Sequence, residues 1–206
     1  MATSTFYPTL SNTVAQWTGK EISAERKEIL QVLIDYINEK RAKGEALHLN
    51  FICTHNSRRS QFSQLWAKTA ADFHGIPAHT YSGGVEVTAF NERAVASIER
   101  AGFRVSSEGE GNPVYKVSAG EEVAPMVAFS KVYDNEVNPD QGFATIMTCS
   151  HADENCPFIP GAEKRIPLRY EDPKAFDDSP EEAAKYDERS AQIANELFYV
   201  FSQVKK

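Results

Sequence analysis

Apolar side chains at Phe62, Leu65, Trp66, Thr69, Ala70 and Phe73 recur at i, i+3, i+4, i+7, i+8 and i+11. That spacing lines one face of a helix and predicts helical structure over 59–74. Gly75 stands where a C-terminal cap belongs, and Pro77 follows it. Just upstream the period changes. Leu47 to Ile52 alternates as a half-buried strand does. Ser23-Ala24-Glu25-Arg26 reads as an N-cap and first turn. Ile29, Leu30, Val32, Leu33, Tyr36 and Ile37 then give a helical stripe that ends near Lys43-Gly44.

The same reading carries on downstream. A short strand is expected at 80–85, and a helix at 92–101 capped by Asn91 and closed by Gly102. Strands are expected at 125–132 and 143–148, with short extra ones at 114–117 and 165–168. The last helix spans roughly 180–204 and carries Ile193, Leu197, Phe198 and Phe201. Residues 1–20 read as an arm with one short turn of helix, and the Gly/Ser/Glu-rich stretch 106–122 is hard to assign. Strands alternating with helices predict an α/β fold with a mostly parallel sheet. One domain, 1–206, is expected, with 1–46 a helical extension on a core of 47–206.

The junction between the first strand and its helix carries the candidate chemistry: Cys53-Thr54-His55-Asn56-Ser57-Arg58-Arg59-Ser60. A sulfur nucleophile at a strand end, a tight loop and a helix N-terminus form a cradle for a tetrahedral oxyanion. Backbone N–H groups from Thr54 to Arg59 would face the anion, the helix dipole would add partial positive charge, and Arg59 would supply a planar fork of donors. The same field favours Cys53 as thiolate, the attacking form. The bare spacing is weak, since a buried cysteine followed by arginines that solvate a turn would satisfy it. The strand-loop-helix context, with Asn56, Arg59 and Ser60 at the junction, favours the oxyanion loop.

The sequence has two more cysteines. Cys149 ends the expected strand 143–148, so in a parallel sheet it shares an edge with Cys53. Cys156 follows seven residues later, too far for a Cys-x-x-Cys pair but within reach if the segment between is a short helix that bends or unwinds. Two rivals stand beside a redox relay. Both could be inert buried cysteines, or Cys149, His151 and Cys156 could hold zinc, although no fourth ligand at recognisable spacing is evident. For an acid, Asp172 precedes Pro173, which keeps it out of helix geometry and stiffens its loop. A partly buried carboxyl there could protonate a leaving oxygen. Asp177-Asp178 is the rival, and a plain turn-forming Asp-Pro is the bland alternative.

Taken together, these residues resemble the thioredoxin-coupled arsenate reductases of the low-molecular-weight protein tyrosine phosphatase superfamily. The likeness covers about 47–205. It includes Tyr81-Ser82-Gly83-Gly84-Val85-Glu86, the helix from Asn91 to Gly102, the Cys149-to-Cys156 spacing, and the distance on to Asp172-Pro173. The resemblance implies a three-layer sandwich: a central four-stranded, mostly parallel sheet flanked by helices. It also implies a mechanism in which Cys53 attacks arsenate held by the loop and Arg59, Ser60 supports the thiolate and Asp172 protonates the departing oxygen. Cys149 then attacks Cys53 and releases arsenite, and Cys156 moves the disulfide outward to thioredoxin. A low-molecular-weight tyrosine phosphatase needs only the loop and the Asp-Pro; that is the alternative function. A non-catalytic oxyanion-binding or redox-sensing protein is the third.

This sequence departs from the family pattern at His55, usually glycine, and at Arg58, commonly cysteine; it also adds residues 1–46 and the stretch 106–141. Composition narrows the classes. At 206 residues, 41% hydrophobic and 25% charged, the chain can bury a sizeable core. Its net charge of −7 argues against non-specific nucleic-acid binding. There is no apolar run of about 18 residues to span a membrane, and the first residues lack signal-peptide features. Three cysteines, an odd number, do not make a secreted disulfide framework. A cytoplasmic protein with reduced thiols and no cofactor is expected.

Overall fold

The structure is a computed structural model that describes residues 6–155 and 158–205. Its centre is a four-stranded sheet in the order β2-β1-β6-β7: β1 (His48–Cys53), β2 (His79–Gly84), β6 (Phe143–Met147) and β7 (Ala162–Ile166). All three pairings are parallel. Parallel neighbours need crossovers, and α3 (Arg59–His74), α4 (Glu92–Ala101) and α5 (Ser150–Asn155) lie in them, while α1 (Pro8–Trp17) and α2 (Ala24–Ala42) precede the sheet and α6 (Glu182–Ser202) follows it.

The side chains of β1 divide between two clusters. Leu49 and Phe51 join the large cluster that holds Trp66, Leu65, Leu33, Tyr186 and Phe201, so α2, α3 and α6 meet on that face. Ile52 and Cys53 belong to a smaller cluster with Phe143, Met147, Cys149, Ala152 and Ile159. Trp66 is fully buried and its indole N–H donates to Ser190 Oγ at 2.9 Å, tying α3 to α6. The helix ends follow local rules. Ser23 and Asn91 each accept a backbone N–H of their own first turn, an arrangement worth about 1 kcal/mol. Gly75 and Gly102 close α3 and α4 in the left-handed conformation.

Three expectations are corrected. The N-terminal arm contains a full ten-residue helix, α1, because Leu10 and Val14 are buried against the large cluster. A carbon at Gly102 Cβ would sit 2.5 Å from Leu10 N, so only glycine lets α1 approach α4 this closely. Of the strand expected at 125–132, only β5 (Met126–Ala128) forms, and it lies outside the parallel sheet. It pairs antiparallel with β4 (Val114–Ser118), which pairs with β3 (Arg104–Glu108), making a second sheet of the stretch that was hard to assign. Residues beyond β5 serve the central sheet differently: Val132 bridges Gly84, and the Gly84 N–H donates to Lys131 O at 2.8 Å. The short strand expected at 165–168 lies instead at 162–166.

Candidate active site

Cys53 is the last residue of β1 and sits beside Gly84 of β2; one position earlier, Ile52 sits beside Met147 of β6. The C-terminal ends of these three strands therefore form one edge, where α/β sheets bind ligands. Thr148 extends the edge: its N–H and hydroxyl both donate to Ile52 O, at 2.7 and 2.9 Å. Cys149 comes next, 2% exposed, and Cys53 is 4% exposed. Both sulfurs belong to the same packed cluster.

The loop from Thr54 to Arg58 turns tightly. Asn56 takes a left-handed conformation, φ 45°, which Asn tolerates better than most residues. Its buried side chain then fixes the loop at two points. Nδ2 donates to Ser60 Oγ at 2.8 Å, and Oδ1 accepts from Lys131 N at 3.0 Å. Gln61 Nε2 donates to Asn56 O at 2.9 Å, and Ser57 Oγ to Ala89 O at 2.7 Å. The Thr54 carbonyl accepts from the N–H groups of Val85 and Glu86. A Cβ on Gly84 would stand 2.7 Å from Asn56 N and 2.8 Å from Thr54 O, so glycine lets β2 press against the loop. Among the described residues, none of the backbone N–H groups of 54–58 donates to a protein acceptor. They are a ready nest of donors in front of α3.

Ser60, in the first turn of α3, lies 3.0 Å from Cys53 Sγ by its hydroxyl. Since Asn56 already donates to that oxygen, the hydroxyl proton is free to point at the sulfur. Arg59, the first residue of α3, donates to Tyr170 O at 3.0 Å and to Asp172 Oδ2 at 2.6 Å, while its buried Nε has no acceptor among the described residues. The Asp172 carboxylate also caps the 3₁₀ turn Pro173–Phe176 by accepting from Lys174 N at 3.1 Å. Across the edge, Thr54 Oγ1 lies 3.5 Å from Cys149 Sγ and 3.2 Å from His151 Nδ1.

No family model matches the chain. Among curated relatives, arsenate reductase 1 of Staphylococcus saprophyticus is 29% identical over 123 residues, 60% of this chain and 76% of its own. The arsenate reductase of Brevibacillus brevis is 28% identical over 143 residues, 69% and 88% of the two chains. Among solved structures, a low-molecular-weight phosphotyrosine phosphatase of Vibrio cholerae superposes at TM-score 0.50 and 13% identity, over 76% of this chain and 95% of its own. Sequence relatives and fold point the same way. The chain has the fold of that low-molecular-weight phosphotyrosine phosphatase and is similar in sequence to the arsenate reductases.

Within this fold, the candidate residues fall into three groups. Cys53, Thr54, Asn56, Ser57, Arg59 and Ser60 form the loop and the start of its helix, and Asp172 reaches Arg59 from the opposite side. Asp177, the rival acid, accepts from Tyr186 OH at 2.7 Å, and Asp178 is paired with Arg93 at 2.7 Å. Neither has a hydrogen bond to the loop among the described residues. His55 projects from the loop and lies 3.3 Å from Glu86, exposed to solvent. Arg58 is turned toward the C-terminal segment, where Nε donates to Tyr186 OH at 2.9 Å and the guanidinium lies 3.8 Å from Asp177 and 4.0 Å from Asp172. Burial, together with the Asp177 hydrogen bond, pushes the Tyr186 phenol up to about 12, so it stays protonated and donating.

Cys149 is on the edge, and Cys156 lies outside the described residues. The segment between them is α5, held by Asp153, whose carboxylate accepts from Arg165 Nε at 3.0 Å and Arg169 Nε at 2.9 Å. Burial alone would raise this carboxyl, but the two arginines hold it below the usual aspartate range. Among the described residues no cluster of three metal-ligating side chains exists, and Cys149 and His151 instead share Thr54. Gln61 buttresses the site from within α3, and Lys131, Tyr170 and Tyr186 do so from distant parts of the chain, where nothing in their local spacing singles them out.

Proposed function

We propose that the chain reduces arsenate to arsenite through Cys53, Cys149 and Cys156, with thioredoxin as the reductant. The observation that carries this reading is the presence of two buried free cysteines, Cys53 and Cys149, in one cluster at one sheet edge, with Thr54 Oγ1 3.5 Å from the Cys149 sulfur. Hydrolysis of a phosphate ester needs only the first. The relatives named arsenate reductases support it.

The steps balance as follows. Arsenate settles against the N–H groups of 54–58, and Arg59 exchanges Asp172 for the anion, using its unpartnered Nε as a further donor. The Cys53 thiolate attacks arsenic, and one oxygen leaves as water after taking a proton from Asp172. Cys149, as thiolate, then attacks the Cys53 sulfur. The S–As bond breaks with its electron pair going to arsenic, which leaves as arsenite, and a Cys53–Cys149 disulfide forms. Cys156 attacks Cys149 and expels Cys53 as thiolate. The resulting Cys149–Cys156 disulfide takes two electrons from the dithiol of thioredoxin. In this scheme α5 bends as the second disulfide forms.

One observation favours the phosphatase alternative. A cavity of about 520 Å³ opens beside the loop, lined by His55, Arg58, Phe90, Tyr115 and Lys174. It has room for an organic group that inorganic arsenate does not carry. Arsenite release in the presence of thioredoxin and its reductase, measured beside aryl phosphate hydrolysis for wild type and Cys149→Ser, separates the two. Reduction lost in Cys149→Ser supports the relay. Reduction that survives it rejects the relay, and aryl phosphate hydrolysis without arsenate turnover supports the phosphatase. Inertness in both assays, with tight phosphate binding, would leave the oxyanion-binding or sensing role.

A further inference from the structure

On the far side of the loop from the candidate chemistry lies a second cavity of about 420 Å³, between β2, α3 and the segment that carries β5. It falls in the size range of small-molecule sites. In a chain of net charge −7, no Asp or Glu lines it. Its walls are apolar at Ala78, Pro125, Met126 and Phe129, and besides Gln64, which donates to Val127 O and accepts from Ser82 Oγ, two buried polar side chains interrupt them.

The first is Lys131, 4% exposed, with no carboxylate partner among the described residues. Its Nζ has only distant partners, Ser82 Oγ and Phe129 O, each at 3.4 Å, and it rides over the Phe129 ring at 4.6 Å. Burial pushes its amine down to about 8, as befits a cation that lacks a counter-charge. The second is Asn138, 8% exposed. Its Nδ2 faces three carbonyls, of Ser82, Val132 and Tyr133, which fixes the orientation of the amide. That leaves Oδ1 buried and without a donor. The Asn138 oxygen is sealed from the cavity, so the group there that asks for a complement is the unpaired cation of Lys131.

We propose that this cavity binds a small organic anion: a carboxylate on a branched apolar body. The carboxylate pairs with Lys131 and the apolar body contacts Met126 and Phe129. The site is separate from the oxyanion loop, although Lys131 serves both, its backbone N–H holding Asn56 while its side chain faces the cavity.

Three methionines in the chain make the test direct. Met126 lines the cavity, whereas Met147 is packed in the cluster with Cys53 and Cys149. Methyl-labelled methionine is followed by NMR in phosphate buffer, which fills the oxyanion loop, while isovalerate, leucine or 2-hydroxyisocaproate is titrated in. The expected result is a shift of the Met126 methyl with Met147 unmoved. Lys131→Met should weaken this binding by about tenfold or more. Val137→Trp, which narrows the mouth and leaves Lys131 intact, should weaken it too and covers the case in which Lys131→Met fails to fold. No Met126 shift with any of the three probes, a shift confined to Met147, or unchanged affinity in both variants would overturn the proposal.

Discussion

Arg59 donates to Asp172 at 2.6 Å, so the guanidinium that would grip the anion and the carboxyl that would protonate its leaving oxygen are held together across the mouth of the loop. The pair neutralises each partner before substrate arrives and must open when it binds. Asp172→Asn should therefore lower kcat for arsenate reduction by about 10²–10⁴-fold, the usual worth of a general acid. It should also tighten inhibition by phosphate, because Arg59 is released. Steady-state kinetics with phosphate as inhibitor checks both halves. Weaker phosphate binding would show that Asp172 positions Arg59 and does not restrain it.

Ser60 touches the Cys53 sulfur at 3.0 Å while Asn56 holds the Ser60 oxygen. A hydrogen bond to a charged group is worth roughly 1.5–3 kcal/mol. Ser60→Ala should therefore slow alkylation of Cys53 by iodoacetamide at neutral pH by about tenfold or more. Alkylation followed by peptide mapping reads this, since Cys149 is the internal comparison. An unchanged rate at Cys53 would remove Ser60 from the proposed thiolate support.

Gly84 is the wall behind the loop, and a methyl group there would meet backbone at 2.7–2.8 Å on three sides. Gly84→Ala should push Asn56 and Thr54 out of place, with loss of phosphate binding and a destabilisation of about 1–3 kcal/mol, the usual cost of overpacking. Denaturant unfolding and a phosphate titration by calorimetry report the two effects. Retained affinity at full stability would mean that the loop does not depend on this contact.

Asp153 clamps α5 through Arg165 and Arg169, and its carboxyl is held below the ordinary aspartate range, near 3.8. A carboxyl depressed in the folded state contributes stability that is present above its unfolded pKa and is lost as pH falls through its folded pKa. The clamp should therefore hold at neutral pH and release only in acid, below the ordinary aspartate value. Asp153→Asn should imitate that release at pH 7. Hydrogen exchange of α5 amides should be faster in the variant at neutral pH, with the difference from wild type shrinking in strong acid. Equal protection at pH 7 would show that the arginines do not restrain α5.

The parts legible in the sequence were those set by neighbours along the chain. The helix at 59–74 coincides with α3, and the helix at 92–101 with α4, because Asn91, Gly75 and Gly102 are local stop and start signals with their own hydrogen bonds. The tight turn of 54–58 between β1 and α3 was legible for the same reason. What escaped was non-local. β5 pairs with β4 and not with the central sheet, and nothing in Met126-Val127-Ala128 specifies its partner. α1 starts at Tyr7 and Pro8 with no side-chain cap, so its helix rests on burial of Leu10 and Val14 against elements far away in sequence. Lys131 reaches the loop across 75 positions, which no spacing rule reveals.

The central claim is that the disulfide first forms between Cys53 and Cys149 and then moves outward, while electrons flow inward to arsenic. Arsenate is added to reduced Cys156→Ser protein without thioredoxin, and the quenched protein is mapped for disulfides by mass spectrometry. A Cys53–Cys149 disulfide formed in step with one equivalent of arsenite is the predicted result. Arsenite released with no Cys53–Cys149 disulfide would contradict it.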